Sequence, residues 1–215
     1  DIALRSAGRG NETRIANTAQ LLLHELQQLP RNRETSKYAL TFATAALTAR
    51  DNKLAQIWLS ATDFEGMQKP DAFEVAKLEA LDVITGGDQS QASQSAVQAR
   101  LIASAEQTPQ KQGAAKLLTL WQGFGLNLGP DARALVSAHG QSGRRADVGS
   151  LTALEAAAQS RAIGETVLRV LSLSDRAPET LAARDMAVLI AALRRVGAED
   201  AAQGLAIEAM ALWGT

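Results

Sequence analysis

The sequence contains no cysteine among its 215 residues. Disulfide bonds, thiolate catalysis and cysteine-ligated zinc or iron–sulfur sites are therefore excluded. The lack of thiols also suits an oxidising compartment, where a stray thiol is a hazard. It slightly favours a periplasmic over a cytoplasmic location, and nothing else in the sequence bears on the location.

Aromatic residues make up only 4% of the sequence, and neither sign of charge is in excess, since the formal net charge is -1 and the pI is about 6.2. A protein that binds nucleic acid usually carries a basic excess, so we expect no nucleic-acid partner. No window of about 20 residues is free of charged or strongly polar side chains, so we expect no membrane-spanning segment in this chain.

What the sequence does contain is a large share of helix-forming residues. Hydrophobic residues account for 46% of the chain, and Ala, Leu, Gln, Glu and Arg lose little rotamer freedom in a helix. No stretch shows sustained alternation of apolar and polar residues, so we predict no sheet. The sequence predicts an all-α fold of about ten or eleven antiparallel helices, stacked in pairs as an α-solenoid-like array.

Candidate capping residues place the starts of several helices. A first helix is predicted from Asn11 to Pro30, and a second covers residues 34–50. Further starts are predicted at Asn52, at Asp71 and at Thr108. Because Trp58 and Trp121 fall on the apolar stripes of predicted helices, we expect both indoles to lie in the core.

The last third of the chain reads as one helix–turn–helix unit written twice. The positions Leu151, Leu154, Ala157 and Ala158 recur 35 residues later as Met186, Leu189, Ala192 and Leu193. After the turn, Leu168, Val170 and Leu173 recur 37 residues later as Leu205, Ile207 and Met210. Units of this length that cannot bury an apolar face alone are typical of helical repeat arrays. Residues 34–60 read as a weaker, earlier copy.

These two segments, LTALEAAAQSRAIGETVLRVLSL and MAVLIAALRRVGAEDAAQGLAIEAMAL, resemble Ala/Leu-rich helical repeats of large bacterial proteins. Such arrays are similar, in a loose sense, to the tetratricopeptide superfamily. The resemblance covers residues 150–212, and the chain departs from the family because no Trp-Leu-Gly-Tyr run opens a unit and no Pro closes one. The resemblance implies scaffolding or partner binding, often in envelope assemblies, and it carries no catalytic residue.

The segment Gly140–Gly149 combines three glycines with Arg144, Arg145 and Asp147, a composition typical of a flexible joint. It would separate an N-terminal helical region, residues 1–139, from a C-terminal repeat pair, residues 150–215. In the same segment, backbone N–H groups beside Arg144 and Arg145 could contact an anion; a solvated joint is the alternative. Because the chain begins at Asp1 rather than Met, we expect a processed protein or a fragment.

The candidate catalytic and metal motifs are incomplete. The pair His24-Glu25 begins like a zinc-protease helix, but the position that needs a second histidine holds Gln28. The residues after His139 resemble a nucleophile elbow, but Arg144 stands where the elbow needs its second glycine. We therefore predict no catalytic residue, no bound cofactor and no metal site.

The final predicted helix is almost uniformly apolar, with Glu208 as its only charge after Asp200. A repeat array needs a polar cap on its last helix, so we expect Met210, Leu212 and Trp213 to form a partner contact. The alternatives are that a further repeat has been removed from the chain, or that Trp213 packs back onto its own core. The function expected is a non-enzymatic helical-repeat scaffold or protein–protein interaction module, part of a larger bacterial protein or envelope assembly. It would bind a protein partner or self-associate. The alternative is a helical accessory domain or fragment of an enzyme.

Overall fold

The computed structural model describes residues 22–63, 69–140, 142–174 and 180–211. Over these residues the chain is all-helical, which confirms the predicted fold class; its one β feature is an isolated bridge between Arg144 and Leu181. The predicted cap Asn11 and the predicted contact residues Leu212 and Trp213 lie outside the described residues. The chain divides into two compact units, Asp1–Gln89 and Ser90–Thr215.

The first unit is built around the contact of two helices. Its helices are α1 (residues 22–28), α2 (Arg33–Ser36), α3 (Ala39–Thr48), α4 (Asn52–Ser60) and α5 (Ala72–Ile84), with a 3₁₀ turn at Ala61–Asp63. Helix α3 packs on α4 and on α5. The rings of Phe42 and Trp58 meet edge to face with centroids 4.8 Å apart. Trp58 is buried, as predicted.

Several predicted helix starts in this unit differ from the structure by one or more residues. The predicted helix 34–50 is two helices, because Asn32 caps α2 through the N–H groups of Glu34 and Thr35 and α3 begins only at Ala39. Asp51, not Asn52, caps α4. The Asn52 side chain instead donates hydrogen bonds to the buried carboxylate of Asp82 in α5, 2.7 Å away.

The second unit has α7 at its centre. Its helices are α6 (Gln91–Ser104), α7 (Thr108–Gly123), α8 (Pro130–His139), α9 (Val148–Gln159), α10 (Ile163–Ser174), α11 (Ala183–Arg195) and α12 (Glu199–Ala211). Helix α7 packs on α6, α8 and α11, and α11 in turn contacts α9, α10 and α12. Trp121 and three leucines of α7 are fully buried, which confirms the predicted place of Trp121 in the core. The residue before α7 is Gln107, which caps it in place of the predicted Thr108.

Helices α7 and α11 meet at a glycine. A Cβ added to Gly123 would lie 2.7 Å from the carbonyl oxygen of Ala187, so the two backbones touch with no room for a side chain. Beyond this point, the Arg194 guanidinium donates a hydrogen bond to the Phe124 carbonyl and lies 5.5 Å from the Phe124 ring centroid. The C-terminal end of α7 is thereby fixed to α11.

Five helices end in the same turn geometry. A residue with positive φ follows each of α3, α5, α7, α9 and α11, and these residues are Arg50, Gly86, Gly125, Arg161 and Gly197. In each turn the next residue donates its N–H to a carbonyl five positions earlier, as Asp51 does to Ala46 and Ala198 does to Leu193. This is the Schellman ending of a helix. Three of the four spacings between these residues are 36 positions, and the spacing from Gly86 to Gly125 is 39.

The boundary between the two compact units lies between Gln89 and Ser90, whereas the sequence prediction placed a joint at residues 140–149. Residues 142–149 lie inside the second unit. There the Arg144 N–H donates to the Thr180 carbonyl at 2.6 Å, and the Ala182 N–H donates to the Arg144 carbonyl at 2.8 Å. These partners are more than 30 positions downstream, so the local composition of the segment did not indicate them.

The predicted twofold correspondence in the tail can be compared with burial. In the first helix of each tail repeat, α9 and α11, the equivalent residues Leu154 and Leu189 are both fully buried. In the second helices, however, Leu168 is 69% exposed whereas its predicted counterpart Leu205 is buried. Burial there matches at a spacing of 36 rather than 37, as between Val170 and Ala206. One position of shift rotates a helical residue by about 100°, which carries Leu168 to the outer face.

Candidate functional site

The end of α12, which the sequence predicted as a contact surface, is covered by the chain itself over its described part. Met210 is only 3% exposed, and Ala206 and Ala209 beside it are fully buried. Met210 therefore faces inward on α12, and the partner contact predicted for this end of the chain stays a prediction. Leu212 and Trp213 lie outside the described residues.

Helix α10 instead exposes large apolar side chains. Ile163, Leu168 and Leu171 are 57%, 69% and 57% exposed, respectively, and these three residues are called here the α10 apolar face. Leu168 and Leu171 are three positions apart, so they are neighbours on the helix surface. The opposite side of α10 is buried through Thr166 and Val170. Among the described residues, α10 is therefore buried on one side and exposes large apolar side chains on another.

The α10 apolar face is bordered by a charged flank. Arg169 and Glu165, one turn apart on α10, form an ion pair with 2.6 Å between Nη2 of Arg169 and Oε1 of Glu165. Both side chains are substantially exposed, so the pair contributes little to stability. An apolar centre with a polar border is the general anatomy of a protein-binding surface.

A cleft of about 210 Å³ opens elsewhere in the second unit, among α7, α8, the start of α11 and the segment between α8 and α9. Its lining residues are Thr119, Gln122, Val136, Ser137, Gly140, Arg145, Ala182, Arg184 and Asp185. Four of the polar ones, Gln122, Ser137, Arg145 and Arg184, are solvent-exposed. The cleft therefore presents hydrogen-bond donors from four different segments.

The segment that carries Arg145 is held on both sides of that residue. Before it, Gly143 has φ +123°, and a Cβ there would lie 2.7 Å from the backbone nitrogen of Ala182, so only glycine fits. After it, the Ala146 N–H donates to Oδ2 of Asp185 at 2.8 Å. Next, Asp147 caps α9 by accepting from the Ser150 N–H at 2.8 Å. Hydrogen bonds from the Ser150 backbone and hydroxyl lower the pKa of the Asp147 carboxyl.

The structure separates the two arginines that the sequence singled out as anion contacts. Arg144 is fixed through its backbone to Thr180 and Ala182, and it does not line the cleft. Arg145 lines the cleft, and there it is joined by Arg184. Sequence reasoning missed Arg184 because it lies 39 positions from Arg145 and follows no recognisable motif.

The residues weighed for metal or catalytic chemistry are dispersed. His24 forms a contact of 2.8 Å between its Nε2 and Nε2 of Gln28, the residue one turn on. His139 ends α8 and does not line the cleft. In the part of the chain that the structure describes, no three His, Asp or Glu side chains are grouped so that they could hold a metal ion.

No known family model, curated protein sequence or solved structure matches this chain. The helices of the described residues are also too short or too polar for any of them to cross a membrane.

Proposed function

We propose that this chain is a non-enzymatic helical-repeat module that binds a protein partner through the α10 apolar face. The partner presents an apolar surface of its own and is either another protein or a second copy of this chain. The observation that carries the proposal is the exposure of Ile163, Leu168 and Leu171 on a helix whose other side is buried.

Keeping the α10 apolar face in contact with water is unfavourable in free energy. Burying apolar surface stabilises a contact by roughly 25 cal/mol for each Å² removed from water. Three large aliphatic side chains, each more than half exposed, could together contribute several kcal/mol before the costs of association are subtracted. Single exposed apolar residues are common on protein surfaces, but adjacent ones, as Leu168 and Leu171 are on the helix surface, form a patch that indicates an interaction site.

The repeat part of the proposal is supported by the five helix endings. Residues of positive φ at Arg50, Gly86, Gly125, Arg161 and Gly197 recur mostly every 36 positions and share one hydrogen-bond pattern. A spacing of this size is typical of helical hairpin repeats. The recurrence includes arginine at two of the five positions, where glycine would be less strained, so the geometry recurs even where the residue type does not.

A photo-crosslinking experiment tests the proposal. Leu168 is replaced by a photo-reactive phenylalanine analogue in cells that produce the protein, and the same analogue replaces Glu155, an exposed residue of α9, as the matched control. We expect one discrete adduct from position 168, none from position 155, and loss of the adduct when Leu171→Lys is added. Mass spectrometry then shows whether the adduct is another protein or a second copy.

Either identity supports the proposal. Identical adduct patterns from the two positions, or an adduct that is unchanged by Leu171→Lys, would contradict it. Because Leu168 and Leu171 are exposed, their replacement should change the free energy of unfolding by no more than about 0.5 kcal/mol. A circular-dichroism melt of each variant confirms that the fold is retained.

A further inference from the structure

We infer that the cleft between α7, α8 and the start of α11 is a binding site for a single oxyanion group, a carboxylate or a phosphate, held between Arg145 and Arg184. This site is separate from the α10 apolar face and does not depend on the proposed partner. The oxyanion group belongs either to a free small anion or to the C-terminus of a peptide chain. Both present the same negatively charged oxygens to the cleft.

Four of the polar side chains that line the cleft can donate hydrogen bonds and have no partner among the described residues. Among the residues that the structure describes, the side chains of Arg145, Arg184, Gln122 and Ser137 make no ion pair or hydrogen bond. Guanidinium groups only donate, while an amide and a hydroxyl can each donate as well. Arginine is also the side chain best matched to the paired oxygens of a carboxylate or phosphate.

Asp185 is the one acidic residue among the described residues that line the cleft. Asp185 is 8% exposed, and its Oδ2 accepts the N–H of Ala146 at 2.8 Å. It lies in the first turn of α11, where the helix dipole favours a negative charge. The carboxylate is therefore already stabilised by the fold without either arginine. Among the described residues that line the cleft, two carry a positive charge and one carries a negative charge, which leaves a net charge of +1.

The segments that carry the two arginines are joined by backbone hydrogen bonds. Arg145 follows a segment that the Arg144 backbone fixes to Thr180 and Ala182. Arg184 lies on the first turn of α11, two positions after Ala182. The same pair of backbone hydrogen bonds therefore holds the backbone beside both arginines, so the binding of an anion has to order their side chains but not the chain that carries them.

The volume of the cleft limits what can enter. At about 210 Å³ it lies below the range of roughly 300–1,000 Å³ that holds drug-sized ligands. It suits one small group rather than a nucleotide or a cofactor. An inorganic phosphate, a small carboxylate or the last residue of a peptide fits this description.

The test is a titration of the folded chain with small anions. Binding is monitored through shifts of the backbone amide resonances of Ala146, Ala182 and Asp185. The probes are inorganic phosphate, acetate, and a short glycine peptide with either a free or an amidated C-terminus, all at constant ionic strength. The variants are Arg145→Gln and Arg184→Gln. Arg195→Gln, an exposed arginine at the other end of α11, is the matched control.

We expect saturable shifts with at least one anionic probe, and a loss of affinity of about tenfold or more in each cleft variant, because a charge-assisted hydrogen bond is lost. Arg195→Gln should bind like the wild-type chain. Tighter binding of phosphate or acetate would assign a free anion, whereas tighter binding of the free-carboxyl peptide over its amidated form would assign a chain terminus. Absence of saturable shifts with every probe, or equal losses in all three variants, would overturn the inference.

Discussion

The side chain of Gln98 holds the loop between α7 and α8 through two hydrogen bonds to the backbone of that loop. Gln98 is a buried polar residue of α6, 5% exposed. Its Nε2 donates to the Asn127 carbonyl at 2.7 Å, and its Oε1 accepts the Gly129 N–H at 2.8 Å. We predict that Gln98→Glu destabilises the second unit at neutral pH, and that most of the loss disappears in acid.

The size of the loss in the free energy of unfolding depends on which of the two hydrogen bonds the introduced glutamate can still form. The carboxylate introduced by Gln98→Glu can still accept from Gly129, but it has no proton to donate to Asn127, and two oxygens then face each other. Leaving a buried group unsatisfied costs about 1–3 kcal/mol, and burying part of a charge adds to it. We therefore expect a loss of about 3 kcal/mol in the free energy of unfolding at pH 7.

The pH dependence has a definite sign. Folding disfavours the ionised form of the introduced glutamate, so the pKa of its carboxyl is higher in the folded than in the unfolded chain. The loss is then fully present above the folded pKa and shrinks as the pH falls below it, because the protonated carboxyl can again donate to Asn127. Urea denaturation at pH 7 and at pH 4, each compared with the wild-type chain, measures both quantities.

An exposed residue of the same helix supplies the control. Gln91, the first residue of α6, is exposed, so a carboxylate there remains in water. Gln91→Glu should therefore change the free energy of unfolding by about 0.5 kcal/mol or less. Equal losses in the two variants, or a Gln98→Glu loss that persists undiminished in acid, would refute the reasoning.

Three further substitutions test other features of the second unit by thermal melting. Gly123→Ala should lower the free energy of unfolding by about 1–3 kcal/mol, because its Cβ would lie 2.7 Å from the Ala187 carbonyl oxygen; an unchanged Tm would contradict this contact. Desolvation raises the pKa of the Glu208 carboxyl, so Glu208→Gln should raise the Tm at pH 7 and lose this gain below the ordinary pKa of glutamate, where both side chains are neutral; a gain independent of pH would argue against it. Arg161→Gly should stabilise the chain by about 0.5 kcal/mol, because glycine adopts φ +57° without the Cβ penalty, and a lower Tm would show that the arginine side chain matters more than its backbone.

The all-helical class followed from composition and periodicity, because those properties are local. Leu154 and Leu189 were correctly placed inward, since both lie on clear apolar stripes. Leu168 was matched to the wrong position, because aligning similar residues of the two tail repeats allowed a spacing of 37. The turns at Arg161 and Gly197 are 36 positions apart. Sequence similarity alone does not resolve one position of shift in an Ala/Leu-rich helix.

The candidate sites were predicted less well, because they depend on contacts between distant positions. Arg145 was selected for its glycine-rich neighbourhood, but its companion Arg184 comes from another helix. The exposed side of α10 was not singled out from the sequence, since nothing in the sequence shows how many neighbours a helix has. Asp51 rather than Asn52 caps α4, and the Asn52 side chain donates instead to the Asp82 carboxylate, a partner 30 positions away.

The direct contact of α7 with α11 has a consequence for how the second unit folds. In a linear repeat array each hairpin touches only its neighbours, so terminal hairpins can fray or be removed one at a time. Here the Phe124 carbonyl and the Arg194 guanidinium are 70 positions apart, and α7 completes its burial only when α11 arrives. The chain between these two residues must close into a long loop before their contact can form. The entropy lost on closing the loop therefore slows folding. Helix α11 is therefore not part of a detachable end: α7 cannot complete its core until α11 has been synthesised.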